Sequence, residues 1–537
     1  MNHIHSSTKE YDAIIVGAGF SGLYQLICLR DQLGLKCVVL ETGDDVGGTW
    51  YWNRYPGARC DTESHAYSYY FSDELLKEWT WSERYPGHEE IREYMNFVAS
   101  KFDLKKDILF KQKVTSAKFI EDSNNWNVKT DNNNFKCKFL ITAVGCLSNT
   151  NIPKIKGLEN FEGSYYHTGN WPKNGVSFVN KTVGQIGTGS TGIQAVPVIA
   201  AEAKHLTVFQ RTANYSIPAR NKPLTEKFKK QVKENFQYYK DLIKRTPNAH
   251  PFEISDRLVA DVNSEEMKHI YEKAWEKGGL QFRAAFNDLV TNFEANKTAS
   301  DFIKNKINET VLNKKFASIL SDIDHPYAGK RPPIDSNYFE TYNRDNINLI
   351  DLRRDPIKCI NKNGIETEKN NFDLDIIVFA TGYDAMTGPL LNMNILGKNN
   401  LKLKNDWKEG PKTFLGLQIP GFPNLFTITG PGSPSVLTNM PMAIEQHVEW
   451  IRDCIRFMIK KEYTSIEARS NLAKKWGQEV NRVANKTLLP TVKHSWYLGA
   501  NIPGKPRVFM PYAGGLPRYS KICDEVKRNN FEDFILT

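Results

Sequence analysis

Two glycine clusters of identical spacing are the residues of this chain best suited to chemistry. Gly17-Ala18-Gly19-Phe20-Ser21-Gly22 and Gly187-Thr188-Gly189-Ser190-Thr191-Gly192 both read GxGxxG. In such a cluster the first glycine makes a tight turn and the second lets backbone approach a pyrophosphate. The third lets a helix pack closely on the preceding strand, so that its N-terminus faces the phosphates. Glu41 follows Gly22 by 41 − 22 = 19 positions, where a carboxylate can accept hydrogen bonds from a ribose diol. At the equivalent place after the second cluster stands Gln210-Arg211-Thr212, with a guanidinium instead of an acid. Arg211 suits a 2′-phosphate and no carboxylate repels it, so the second site should prefer NADPH to NADH. A site for an adenine dinucleotide with a free diol, together with a site for NADPH, implies an FAD- and NADPH-dependent oxidoreductase. The expected FAD contacts here are Gly17, Gly19, Ser21, Gly22 and Glu41. The expected NADPH contacts are Gly187, Thr188, Gly189, Ser190, Thr191, Gly192 and Arg211.

These residues need strands and helices to hold them. Apolar strand-like runs at 11–16 and 182–186 lead into the two clusters, and helical patterns follow at Leu23, Leu26, Ile27 and Leu29 and over 193–201. Second strands are expected at 36–40 and 206–209. Two βαβ units in 537 residues make an α/β chain of two to four domains, at roughly 100–200 residues per domain. With 40% hydrophobic and 25% charged residues the composition is that of a globular protein. A net charge of +10 is thinly spread, which argues against nucleic-acid and anionic-membrane partners. The eight cysteines form no CxxC pair and no metal-ligand grouping, so reduced buried thiols and no metal are expected. The amino terminus has no apolar signal region, and no apolar run approaches the roughly eighteen residues of a membrane span. A cytoplasmic monomer is expected.

No cysteine pair could pass electrons beside a flavin, so dioxygen is the expected acceptor. Residues 161–172 read FEGSYYHTGNWP, which resembles the FxGxxxHxxxWP fingerprint of type I Baeyer–Villiger monooxygenases through Phe161, Gly163, His167, Trp171 and Pro172. A second pattern of that family, [AG]GxWxxxx[FY]P[GM]xxxD, is similar to GGTWYWNRYPGARCD at 47–61. The resemblance continues through Lys330-Arg331, Ala380-Thr381-Gly382-Tyr383-Asp384 and 499–505. It covers nearly the whole chain after about residue 10. Ser433 to Met440 resembles the longer substrate-side loop of the phenylacetone and steroid branch; cyclohexanone monooxygenase is also similar.

The resemblance implies that NADPH reduces FAD and that dioxygen adds at the flavin C4a position. The peroxide so formed attacks a ketone, aryl, cyclic or bulky, to give an ester or lactone, with some sulfoxidation on the side. Arg331 matches the family's active-site arginine, which stabilises the peroxide anion and the following oxyanion. Asp61 resembles the carboxylate that orients it. Lys330 and Arg211 with Thr212 would grip the 2′-phosphate, Trp496 matches a tryptophan against the nicotinamide nucleotide, and Arg59 and Arg331 join the NADPH contacts. Thr49, Trp50, Asp61, Tyr67 and Met440 carry over as FAD contacts. His167 is expected to be structural, coupling NADPH binding to domain movement, and Cys146 to be packing.

The expected fold is two Rossmann-like dinucleotide-binding domains, both discontinuous, with a helical insertion. The expected boundaries are a flexible tail at 1–10, FAD-binding segments at 11–145 and 385–537, NADPH-binding segments at 146–215 and 325–384, and the insertion at 216–324. In the insertion a helix should start near Ser264, carry Met267, Ile270, Tyr271, Ala274 and Trp275 on its packing face, and stop at Gly278-Gly279. Two other readings stay open: a flavin monooxygenase acting mainly on sulfides or amines, and a non-catalytic flavin-binding or redox-sensing protein.

Overall fold

The strand Lys9–Val16 buries its last four side chains, Ala13 to Val16, and forms the centre of a mainly parallel sheet. It pairs in parallel with Cys37–Leu40 on one side and Asn134–Thr142 on the other. Outside these lie Ile108–Leu109 on one edge and the antiparallel strands Asn125–Thr130 and Val114–Ile120 on the other, with Asn394–Leu396 beyond. Leu425–Thr427 pairs in parallel with the end of Asn134–Thr142. The short run at 131–134 turns the chain between antiparallel strands, as its Asp-Asn composition predicts. The structure is a computed structural model and describes residues 8–537. Lys9 and Glu10, expected in a flexible tail over 1–10, belong to the strand Lys9–Val16; residues 1–7 lie outside the described residues.

A second sheet is wholly parallel, in the order Ile347–Asp351, His205–Gln210, Thr182–Ile186, Ile376–Phe379 and Ser164–His167. Register decides what its ends present. Val16 is level with Leu40 and Thr142, and Thr142 with Thr427, so the following residues Gly17, Glu41 and Ala143 leave the first sheet along one carboxyl edge. Ile186 is level with Phe209 and Phe379, which brings Gly187, Arg211 and Ala380 to the corresponding edge of the second. Ligands of such sheets sit in the crevice outside those edges.

Helices fix the two edges. Phe20–Leu26 is buried along its whole length, and Tyr24 donates its hydroxyl to Glu449 (3.1 Å) on the long helix Met440–Lys460. The second cluster opens the helix Ser190–Glu202. Between the two visits of the chain to the second sheet lie the helices Glu226–Glu234, Phe236–Arg245, Ser264–Lys277, Phe293–Thr310 and Lys314–Ser321. Ser264–Lys277 is capped by the Asn263 side chain, which accepts from the Glu266 N–H, and ends at Gly278 with φ +68°. Tyr271 and Ala274 are its buried residues, and Tyr271 stacks on Phe282 at 5.5 Å.

A candidate cofactor and active site

The two carboxyl edges enclose one cavity of about 1280 Å³. Its wall on the first-sheet side includes Gly17, Gly19, Ser21, Glu41, Thr49, Trp50, Asp61, Tyr67 and Met440. On the other side it includes Gly187, Thr188, Gly189, Ser190, Thr191, Arg211, Thr212 and Lys330, with Arg59, Arg331 and Trp496 between. Gly22 and Gly192 stand behind that wall. A Cβ on Gly22 would come within 1.8 Å of the Gly17 carbonyl oxygen, and one on Gly192 within 2.3 Å of that of Gly187. The third glycines therefore allow the close packing of helix on strand.

The first glycines make equivalent turns. Gly17 has φ +106° and a Cβ there would meet the Ala143 carbonyl oxygen at 2.6 Å; Gly187 has φ +109° and would meet that of Ala380 at 2.4 Å. No L side chain fits either place. Glu41 accepts from the Ala18 N–H through one carboxylate oxygen and from the Gly43 N–H through the other, both at 2.7 Å. Burial pushes its pKa up, against the opposing pull of those backbone donors. The carboxylate is thus fixed at the lip of the cavity. Two glycine turns, a held acid after the first and a basic pair after the second fit one diol-bearing and one 2′-phosphorylated dinucleotide. Lys330 belongs to that basic pair: burial pushes its pKa down, Asp324 acts upward, and neighbouring Arg211 acts downward.

Arg331 and Asp61, 270 positions apart in the chain, meet in a two-pronged pair. Nε donates to one carboxylate oxygen and Nη2 to the other at 2.8 Å, while Nη1 donates to the Val436 carbonyl at 3.0 Å. Both side chains keep about a quarter to a fifth of their surface accessible, 24% and 21%. Burial alone would raise the Asp61 carboxyl, but the adjoining guanidinium outweighs it and holds the group below its ordinary value. Burial alone would lower Arg331, and Asp61 outweighs that too, so its charge is secure at any working pH. The pair presents a fixed cation to the cavity.

The remaining residues divide by position. Trp50 donates its indole N–H to the Tyr67 hydroxyl (3.1 Å), which orients both rings. Thr188 donates its hydroxyl to the Thr212 carbonyl (3.0 Å), tying the glycine turn to the strand end. Arg59 reaches the cavity wall, but its guanidinium is engaged by Glu83 at 2.9 Å and the Tyr85 carbonyl at 2.6 Å. Burial pushes the Cys146 thiol up to about 11, which keeps it protonated and unreactive. The fingerprint residues Phe161, Gly163, His167, Trp171 and Pro172 stand off the wall. His167 closes the strand Ser164–His167, accepts from the Gly169 N–H through Nδ1 (3.0 Å), and is pushed down to about 4 by burial. A Cβ on Gly163 would meet the Asp375 carbonyl oxygen at 2.5 Å, and the Trp171 N–H donates to the Trp52 carbonyl at 3.5 Å. The segment thus bridges the second sheet and the short helix Thr49–Trp52 that carries Trp50.

Two wall residues, Asn53 and Gln194, carry no sequence signal of their own. Gln194 accepts from the Tyr55 hydroxyl at 2.7 Å and Tyr383 donates to Asn53, so both sides of the cavity are cross-linked by ordinary polar residues. Their types are common and their partners distant. The Val436 carbonyl is invisible in any side-chain pattern.

The comparisons with known proteins agree with this arrangement. A family model described as flavin-binding monooxygenase-like matches residues 11–238. Cyclohexanone 1,2-monooxygenase of Acinetobacter sp is 44% identical over 535 residues, spanning 98% of this chain and 97% of that protein. A Baeyer–Villiger monooxygenase of Pseudooceanicola batsensis is 42% identical, spanning 98% of this chain and 96% of its own. The solved structure of an oxidized steroid monooxygenase bound to NADP has a TM-score of 0.94 at 45% identity, covering 98% of this chain and 99% of the other. Likeness of this degree along the full length of both partners has one reading: the chain belongs to the Baeyer–Villiger monooxygenases.

Proposed function

We propose that this protein is an FAD-containing, NADPH-dependent monooxygenase that inserts one oxygen atom of dioxygen beside a ketone carbonyl, giving an ester or lactone. Bound NADPH supplies a hydride, and bound FAD the centre at which dioxygen is activated. The chain's own residues do the rest. Arg331, held by Asp61, places a permanent positive charge where negative charge develops on oxygen at the ketone carbonyl. Val436, Met440, Cys146 and Trp496 wall that part of the cavity and limit water. Glu41 binds the ribose diol of FAD, and Arg211 with Thr212 and Lys330 binds the 2′-phosphate of NADPH. Arg59 joins the NADPH contacts by its place on the wall. His167, at the end of the strand Ser164–His167, has a structural role and couples NADPH binding to domain movement. The observation that carries this reading is the Arg331–Asp61 pair facing a cavity bounded by both glycine turns.

The substrates proposed are aryl, cyclic or bulky ketones, with sulfoxidation as a side reaction. We also propose a cytoplasmic monomer: seven of the eight cysteines are buried and all are free thiols. Among the described residues no helix is long and apolar enough to cross a membrane. The test is NADPH oxidation by the purified protein in air with phenylacetone, cyclohexanone and methyl phenyl sulfide, counting ester, lactone, sulfoxide and hydrogen peroxide. Ketone-dependent turnover with ester or lactone matching the NADPH consumed is the expected result. Sulfoxide without ester would move the activity to soft nucleophiles, and peroxide alone with every substrate would overturn the reading.

A further inference from the structure

The helical insertion belongs to neither sheet, yet one of its turns reaches the Asp61–Arg331 pair. Thr246 ends the helix Phe236–Arg245, and Pro247-Asn248-Ala249-His250 follows. Ala249 has φ +53°, a left-handed conformation that a non-glycine residue adopts at a cost. The turn is nevertheless well tied. The Ala249 N–H donates to the Thr246 carbonyl (3.0 Å), the Thr246 hydroxyl to the His250 carbonyl (2.8 Å), and the Leu516 N–H to the Pro247 carbonyl (2.9 Å). Strain kept in place by this many bonds sits beside the catalytic pair, and His250 is buried next to it.

Asn248 and Arg331 hold the same stretch of backbone from two sides. Arg331 Nη1 donates to the carbonyls of Val436 (3.0 Å) and Thr438 (3.5 Å). Asn248 takes the residues between and after them: its Nδ2 donates to the Leu437 carbonyl (2.5 Å), and its backbone carbonyl accepts from the Asn439 N–H (2.8 Å). Successive backbone groups thus alternate between the guanidinium and the insertion. Behind Asn248 stands Arg283, also in the insertion, whose Nη1 donates to Asn248 Oδ1. A guanidinium can only donate, so Arg283 fixes which end of the amide faces it and leaves Nδ2 for Leu437.

From this two-sided grip we infer that Asn248 is a positioning residue for Arg331. Through it the insertion braces residues 436–439, against which the guanidinium is aimed. The inference rests on the proposed monooxygenase reading for its kinetic consequence, though not for the brace itself. With Asn248 gone, Asp61 still holds two nitrogens of Arg331, but the acceptors of the third lose their backing. The loss falls on oxygen transfer and not on NADPH binding, because Asp61 still holds Arg331 in place and no residue of the brace touches the 2′-phosphate grip of Arg211, Thr212 and Lys330.

Five variants test it: N248A, N248D, R283M, R283K and the double variant N248A/R283M. In N248D the pairing with Arg283 survives, but an acceptor replaces the donor facing Leu437. N248A, N248D and R283M should lower ester formation about tenfold or more, with hydrogen peroxide making up the NADPH consumed. FAD content, the KM for NADPH and the rate of anaerobic flavin reduction should stay those of the parent. R283K keeps a donor on Oδ1 and should recover most of the ester yield, and N248A/R283M should be no worse than N248A. Parental coupling in N248A, or losses that follow FAD content and Tm equally in every step, would overturn the inference. Hydrogen exchange of the 435–440 amides needs no substrate and must quicken in N248A and N248D. Unchanged protection there sinks the brace whatever reaction the parent catalyses, whereas faster exchange in a protein that makes no ester would count against the proposed activity alone.

Discussion

Arg331 is the residue on which the proposed chemistry turns, and its environment says why lysine would not replace it. Three of its nitrogens are committed at once, two to Asp61 and one to the Val436 carbonyl, a fork geometry that an ammonium cannot reproduce. Arg331→Ala should keep bound FAD and its reduction by NADPH while ester formation falls by about 10² to 10³, the range for losing one preorganised oxyanion partner. Arg331→Lys should recover little of it. Product analysis at matched FAD content checks both, and normal ester yield from the alanine variant would remove Arg331 from the mechanism. The same paired charges make a second point. Asp61 is held below its ordinary value and Arg331 above its own, so neither ionisation should appear in the rate profile between about pH 5 and 9.

At the scale of elements, the proposed function makes the two glycine turns separable switches for the two cofactors. Each is a strand end whose first glycine lies against the carbonyl following a neighbouring strand: Ala143 for Gly17, Ala380 for Gly187. Gly187→Ala places a methyl group 2.4 Å from that oxygen at φ +109°, so the turn must open. The KM for NADPH should rise about tenfold or more while FAD stays bound. Gly17→Ala should do the reverse and yield protein depleted of flavin. Flavin absorbance of the purified variants with NADPH titration decides this, and loss of both cofactors in either variant would mean that the turns are not independent. These turns were legible in the sequence because strand, turn and helix are contiguous there. The fingerprint over 161–172 was legible only by resemblance. Its residues stand off the cavity, and His167 is level with Phe379 across the sheet and accepts from the Gly169 N–H.

For the whole molecule, buried titratable groups set the pH range of stability. Burial pushes His167 and His325 down to about 4, and His250 and His447 down to about 3. Each would take up a proton on unfolding below its ordinary value of about 6.5, so the stability present above that pH is lost as pH falls. Two buried acids act oppositely. Burial pushes Asp335 up to about 6 and Glu445 up to about 8, and their contribution is lost as pH rises through those values. Among these six groups the four histidines outweigh the two acids on the acid side, and only Glu445 still titrates above about pH 6.5. Tm should therefore peak near about pH 6.5, fall steeply toward pH 4, and decline gently toward pH 8. Glu445→Gln should flatten the alkaline side, since the carboxyl that accepts from the Tyr70 and Phe71 N–H groups would no longer titrate. A thermal-shift series across pH measures this, and a maximum above pH 8 would refute the assignment of burial as the dominant cause.

The sequence by itself determined what depends on neighbours in the chain. It placed the strand over 182–186, the two glycine turns, the helix after Asn263, the acid after the first unit and the arginine after the second. Periodicity, glycine conformation and capping are local forces, and each is written within a few residues. Resemblance supplied Arg331 and Asp61, for which Lys-Arg-Pro-Pro alone offers no chemistry. Only the tertiary structure decided what touches across the fold. It brought residues 61 and 331 together, engaged the Arg59 guanidinium with Glu83, and set Asn248 and Arg283 of the insertion behind residues 436–439. Those contacts involve backbone carbonyls and common polar side chains far apart in the chain. Their energy comes from burial and geometry after folding, which no spacing in the sequence records.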